Sequence, residues 1–296
     1  MALAALTGLL PSTSAATPAL ASREPIAAGA DGPEPAKAHA GPGHYLWRPV
    51  AIGAGGFITG LSIDPTGTTR LARTDVYGAY LWLSEEARWT QLVTSATMPR
   101  DDLIQNGLNE GVYDLAVAPS DPDRIYLAIK GRVYRSDDRG RHFRRTATLD
   151  EAAPIRFDPN SEFRLYGPFL AVDPDHPDRV FLGTPEQGVW RSTDGGAHWE
   201  RIDSVPANAD FRPDPGIQSP GAMIWFAPDA GADDTDADTR TRPGTTADAG
   251  DRGQRPIWVL AHGHGLYQSR DGGRRFKPLV GPDQPQPRRL IQGSFT

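Results

Sequence analysis

The sequence predicts an all-β chain: a β-propeller of four-stranded antiparallel blades, with four blades visible and the start of a fifth. Two periodicities carry that prediction. The pattern Ser-x-Asp-x-Gly-x-x-(Trp/Phe) occurs three times, beginning at Ser136, Ser192 and Ser269 and ending at Phe143, Trp199 and Phe276. A second series, Asp64-Pro65, Ala118-Pro119, Asp173-Pro174 and Ala227-Pro228, runs in register with it, its prolines separated by 54, 55 and 54 residues. Self-similarity at such a period marks a repeat architecture. Each period divides into four short β-type runs bounded by Gly, Pro and Asp, the make-up of a propeller blade.

Taken in order, residues 1–21 read as a signal peptide: Ala2 to Leu10 is apolar and Ala19-Leu20-Ala21 resembles a cleavage site, although the basic n-region is absent. This predicts export. Residues 22–43 are mostly Ala, Pro and Gly and lack the apolar surface to offset ordering entropy, so they read as a disordered linker. The propeller domain is expected over 44–296. Its first blade has strands at Gly60 to Ile63, Arg70 to Arg73, Gly78 to Leu83 and Trp89 to Leu92. The second has them at Val112 to Val117, Ile125 to Ile129, Val133 to Ser136 and Phe143 to Thr146. The third follows at Phe169 to Val172, Val180 to Gly183, Val189 to Ser192 and Trp199 to Ile202. The fourth is read at Met223 to Phe226, Ile257 to Ala261, Leu266 to Ser269 and Phe276 to Leu279. Residues 229–255 form a low-complexity insert, and Arg288 to Ile291 reads as the first strand of a fifth blade. A blade left at its first strand would expose open sheet edges, so an incomplete, N-terminal propeller is expected.

Antiparallel alternation assigns the loops to faces. Connections between second and third strands share one face with the inter-blade loops Thr94 to Gly111, Ala147 to Pro168 and Asp203 to Ala222. The three Asp-containing tips, which join third to fourth strands, share the opposite face. In each tip the Asp (Asp138, Asp194, Asp271) is positioned to accept turn amides, the Gly to take φ > 0, and the aromatic to pack beneath the hairpin. These are structural residues. Binding sites form preferentially among long loops on a rigid scaffold, so the site is expected on the first face.

Composition narrows the partners. A net charge of −6 and a pI near 5.6 argue against nucleic acid, which needs clustered Lys and Arg. The absence of cysteine excludes disulfides, zinc–thiolate sites and thiol nucleophiles. No apolar run reaches the ~18 residues of a membrane span, and no cofactor motif is present.

The stretch Trp47-Arg48-Pro49-Val50-Ala51-Ile52-Gly53-Ala54-Gly55-Gly56-Phe57-Ile58-Thr59-Gly60, with Ala72-Arg73-Thr74-Asp75-Val76-Tyr77-Gly78-Ala79-Tyr80-Leu81-Trp82, resembles the opening of glycoside hydrolase family 74. That family comprises xyloglucanases and related β-glucanases built from two seven-bladed propellers. Ala54, Tyr77 and Leu81 depart from the family's usual Gly, Gly and Arg. The resemblance implies a secreted protein acting on a polysaccharide by an inverting mechanism, with Asp75 as general base and the general acid outside this chain. Tips of the Ser-x-Asp-x-Gly kind also resemble the Asp-boxes of the BNR-repeat, sialidase-like propellers. The Arg-Ile-Pro motif of sialidases is not seen, which leaves an exo-sialidase as the third choice after a non-catalytic module that binds glycan or protein.

Asp75 falls in a second-to-third strand connection, and therefore on the long-loop face, independently of any resemblance. Its structural alternative is a turn cap before Gly78. Equivalent connections hold Lys130, Arg132, Glu186, His262 and His264, with Glu186 the second candidate carboxylate. Tyr77, Tyr80, Trp82 and Tyr166 are candidates to stack on sugar rings, against a packing role in the blades. His262-Gly263-His264 lacks a third ligand for a metal, and Asp234-x-Asp236-x-Asp238 lacks the Gly and Glu of a calcium loop, so no metal is expected.

Overall fold

The computed structural model describes residues 56–103, 111–207, 220–228 and 255–279. The signal peptide, the linker, the stretch from Trp47 to Gly55, positions 229–254 of the insert and the fifth-blade strand lie outside the described residues.

Each repeat folds as one four-stranded antiparallel sheet, its strands hydrogen-bonded in chain order. Sheet 1 holds β1 (Ile58–Ile63), β2 (Arg70–Thr74), β3 (Ala79–Leu83) and β4 (Arg88–Gln91). A four-residue helix, α1 (Arg100–Leu103), follows. Sheet 2 holds β5 (Asp114–Ala118), β6 (Asp121–Ile129), β7 (Arg132–Ser136) and β8 (Arg144–Arg145). Sheet 3 holds β9 (Leu170–Val172), β10 (Val180–Gly183), β11 (Val189–Ser192) and β12 (Glu200–Arg201). Sheet 4 holds β13 (Met223–Phe226), β14 (Ile257–Ala261), β15 (Gly265–Ser269) and β16 (Lys277–Pro278). The first strands of successive sheets adjoin: β1 lies beside β5, β5 beside β9 and β9 beside β13. This is how propeller blades are set, and among the described residues no sheet closes on itself.

The core lies between consecutive sheets. Along β6, Ile125, Leu127 and Ile129 pack toward sheet 1 with Leu71, Leu81 and Leu92, whereas Tyr126 and Ala128 pack toward sheet 3 with Leu170 and Leu182. Along β10, Phe181 joins Ile224, Ile257 and Val259 of sheet 4 on the face opposite Val180 and Leu182. Strands buried on both faces read as unbroken apolar runs, which is why the inner strands were the most legible. Each fully buried large side chain stabilises by about 1.5–3 kcal/mol.

Four strands keep the bounds read from sequence: Val180–Gly183, Val189–Ser192, Met223–Phe226 and Ile257–Ala261. The outermost strands of sheets 2 to 4 are shorter than expected, two residues each. In two of them the leading aromatic leaves its own sheet: Phe143 N–H donates to Thr97 O at 2.7 Å and Phe276 N–H to Ser204 Oγ at 2.9 Å. The amide that would have extended the ladder serves the preceding repeat. β6 starts four residues earlier than expected because Ala118 pairs with Asp121 across a bulge.

The tips behave as their residues require. Asp138 Oδ1 accepts the His142 amide at 2.9 Å, Asp194 Oδ1 accepts the His198 amide at 2.9 Å, and Asp271 Oδ1 accepts the Arg274 and Arg275 amides. The serine, unassigned by sequence, takes a second amide: Ser136, Ser192 and Ser269 Oγ accept the N–H of Gly140, Gly196 and Gly273 at 2.8–3.0 Å. Those glycines have φ of 82°, 88° and 78°, in the left-handed region that a side chain disfavours. Burial alone would raise the Asp194 carboxyl, but bonds from the His198 ring and amide and the Ser192 hydroxyl outweigh it and bring the group down to about 2. The tips also meet the first-to-second strand connections, since Arg139 Nε donates to Thr69 Oγ1 at 3.0 Å and Gly195 N–H to Asp178 O at 2.8 Å. Both kinds of loop therefore share a face, as alternation demands.

Candidate active site

On the opposite face, β2 ends at Thr74 and the chain turns through Asp75 to Gly78 into β3. Tyr77 and Gly78 have φ of 66° and 83°, and the Thr74 amide and hydroxyl both donate to Gly78 O, at 3.1 and 2.8 Å. A tyrosine in the left-handed region costs about 1–2 kcal/mol, whereas glycine there is unstrained but loses more entropy on folding. Tyr77→Gly is accordingly expected to stabilise the chain by about 0.5–1 kcal/mol, read as a rise in the urea midpoint. A fall in that midpoint would show that Tyr77 makes compensating contacts.

Asp75 is clasped to the segment leading into β1. Its Oδ1 accepts the Phe57 N–H at 2.7 Å and its own N–H donates to Phe57 O at 3.1 Å. Its Oδ2 lies 3.8 Å from Arg164 Nε, and the Arg164 guanidinium sits 5.8 Å from the centroid of the Phe57 ring. The Asp75 side chain keeps 12% of its exposure. Gly111 closes the back of the turn: it bridges Gly78, and a Cβ on it would stand 2.0 Å from Asp75 O. Phe57, held to Asp75 by this clasp, and Tyr77, two residues further along the chain, are exposed, at 54% and 40%.

Beneath Asp75 runs an ion pair that the sequence reading passed over. Arg73 Nε lies 3.1 Å from Asp114 Oδ1, with side chains 5% and 6% exposed. Arg73 Nη1 donates to Thr59 Oγ1 and Arg164 O, both at 3.1 Å, and Nη2 donates to Tyr166 O at 2.9 Å. Asp114 accepts the amides of Leu115 at 2.9 Å, Phe169 at 2.5 Å and Leu170 at 2.8 Å. A Cβ on Gly60 would stand 2.6 Å from Arg73 Nε, so the glycine leaves the lane in which the arginine lies. This network joins β1, β2, β5 and β9 to the segment that carries Arg164. The signal for it was a charged residue inside each of two apolar runs, Leu71-Ala72-Arg73 and Asp114-Leu115-Ala116-Val117.

The remaining sequence-predicted residues scatter. Tyr80 is 2% exposed and its hydroxyl has no hydrogen-bond partner among the described residues, so its ring belongs to the core. Burial, and then the neighbouring Tyr77, raise its pKa. Trp82 is half-buried and tilts against Trp89 of β4, ring centroids 5.5 Å apart. Glu186 is exposed in the β10–β11 connection. His262, in the equivalent connection of sheet 4, is buried, and that burial lowers its pKa to about 4; its ring lies 5.9 Å from Tyr166. His264 Nε2 is 3.1 Å from Ala207 O. Arg132 Nη1 donates to Asp102 Oδ1 of α1 at 2.8 Å, and Lys130 occupies a left-handed turn with φ of 52°. The connections of sheets 1 and 4 thus both meet the 147–168 segment, through Arg164 and Tyr166.

No family model matches the chain. A xyloglucanase of Paenibacillus sp. is 30% identical over 273 residues, 86% of this chain and 24% of the relative. An oligoxyloglucan-reducing end-specific xyloglucanase of Emericella nidulans is 36% identical over 180 residues, covering 56% of this chain and 20% of that protein. The chain therefore spans about a quarter or less of the length of these curated relatives. Among solved structures, the GH74 xyloglucanase from Xanthomonas campestris superposes with a TM-score of 0.55 at 32% identity, covering 82% of this chain and 33% of that one. The Niastella koreensis GH74 enzyme gives 0.53 at 25% identity, over 79% and 31%. The chain is thus xyloglucanase-like, a relative of glycoside hydrolase family 74 over part of that family's length.

Proposed function

We propose that this chain forms part of an exported glycoside hydrolase that cleaves a β-glucan of the xyloglucan type by inversion, with Asp75 as general base and the general acid outside this chain. The observation that carries the reading is the similarity to xyloglucanases, within which Asp75 must fall. A match spanning 86% of the chain has no room to begin after residue 75. Inversion needs a carboxylate to take a proton from the attacking water and, roughly 6.5–9.5 Å away, an acid to protonate the leaving oxygen. Oδ1 of Asp75 is committed to the Phe57 amide, so Oδ2 is the oxygen assigned to the water. The exposed rings of Phe57 and Tyr77 are the surfaces assigned to sugar stacking. A polysaccharide too large to enter a cell accords with export, and among the described residues no helix is long and apolar enough to cross a membrane.

A second reading, a non-catalytic module that binds glycan or protein, draws on the same clasp: with both its amide and Oδ1 bound to Phe57, Asp75 has a structural task of its own. Incubating the whole protein with xyloglucan and with mixed-linkage glucan separates the two. Turnover of xyloglucan, with new reducing ends appearing first as the α-anomer by proton NMR, supports the hydrolase. Binding without turnover supports the module.

A further inference from the structure

Sheets 2 and 3 carry an arginine at the same strand position, Arg135 of β7 and Arg191 of β11, each preceding the serine of its tip. Arg135 meets acids on two sides, both of them shared with Arg124. Its Nε donates to Asp137 Oδ1 at 2.7 Å, while Nη1 lies 3.2 Å from Asp178 Oδ1 and donates to Gly195 O at 3.3 Å. One repeat later neither acid recurs, and the acid gained is Glu200, which stands opposite Arg191 where Arg144 stands opposite Arg135. By strand register Thr193 takes the place of Asp137, and Arg255 takes the place of Asp178, two residues before the strand position shared by Val180 and Ile257. Arg255 is itself engaged with Asp175.

Arg191 is nonetheless as buried as its counterpart, its side chain 10% exposed. Its Nη1 has no hydrogen-bond partner among the described residues. Its Nε stands 3.0 Å from Glu200 Oε1 without the alignment of a hydrogen bond, and the Glu200 side chain is 60% exposed. The arginine lines an open groove of about 550 Å³ between sheets 3 and 4, with Arg201, Arg274 and Arg275 as further cations and Glu200 and Asp203 as the acids. Arg201 is bound to Asp203 at 2.9 Å. Burial lowers the pKa of Arg191, and with Arg274 and Arg179 adding to the fall it outweighs the opposing pull of the Glu200 and Asp271 carboxylates. A buried guanidinium with a free donor is costly unless an anion reaches it.

We propose that this groove binds a compact oxyanion, a carboxylate or phosphate group, held by Arg191 and Arg274 in place of the two aspartates that serve Arg135. Guanidinium groups bind such oxyanions through paired, charge-assisted bonds. The site stands apart from Asp75 and does not depend on the hydrolase reading.

Isothermal titration of the full chain with sodium D-glucuronate, inorganic phosphate and neutral D-glucose tests it. Saturable binding of either anion, with none of glucose, is expected, and the anion that binds identifies the source of the oxyanion. Arg274→Gln, on the exposed tip, is expected to weaken that binding about tenfold or more, the loss of one charge-assisted bond. Thr193→Asp restores the internal acid found beside Arg135 and is expected to weaken binding at least about tenfold while melting at or above the wild-type temperature. No saturable binding of either anion, or an affinity unchanged in both variants, would overturn the proposal.

Discussion

Arg73→Met is expected to destabilise the chain by about 3–5 kcal/mol, because it strands a carboxylate that the fold has taken out of water. Asp114 is 6% exposed and sits among three backbone amides, so it has no route to solvent once its partner is removed. The carbonyls of Arg164 and Tyr166 lose their donors as well. The urea midpoint of the variant reports the loss directly. A double-mutant cycle with Asp114→Asn should recover a large part of it, since the two residues are in direct contact. A single-variant effect below about 1 kcal/mol would mean that water reaches Asp114, contrary to its burial.

Asp75→Asn in the whole protein is expected to lower xyloglucan turnover by about 10²–10⁴-fold, the usual contribution of a general base. The amide keeps a carbonyl oxygen that can accept the Phe57 N–H, so the clasp survives and the melting temperature should stay close to that of wild type. Asp75→Ala removes both the base and the clasp, and should cost stability as well as turnover. Wild-type turnover by Asp75→Asn would leave Asp75 a structural residue and return the reading to a binding module.

What could be read in advance follows from the distance over which each signal acts. Strands such as Val180–Gly183 and Ile257–Ala261 announce themselves in four or five adjacent residues, apolar and bounded by turn formers. The tips do so in eight, and the face on which Asp75 lies follows from counting strands. Pairings across repeats leave no such trace. Arg73 meets Asp114, Asp75 meets Arg164, and Phe276 meets Ser204 because sheets are stacked, and stacking is not written in a local period. Tyr80 shows the converse: residue type makes it a candidate for either sugar stacking or packing, and its place in β3 puts it in the core. Arg164 lies in a long connection with no repeat to compare it with, so nothing in the sequence singles it out.

The bond from Phe143 to Thr97, and its counterpart from Phe276 to Ser204, have a consequence for how the molecule comes apart. The outermost strands of sheets 2 and 4 are latched in this way to the unit before them, and Asp114 of sheet 2 holds the amides at the head of sheet 3. Neighbouring units therefore share their weakest edges. Deuterium uptake should accordingly advance in pairs of adjacent sheets, with the Phe169 and Leu170 amides exchanging only when sheet 2 also opens.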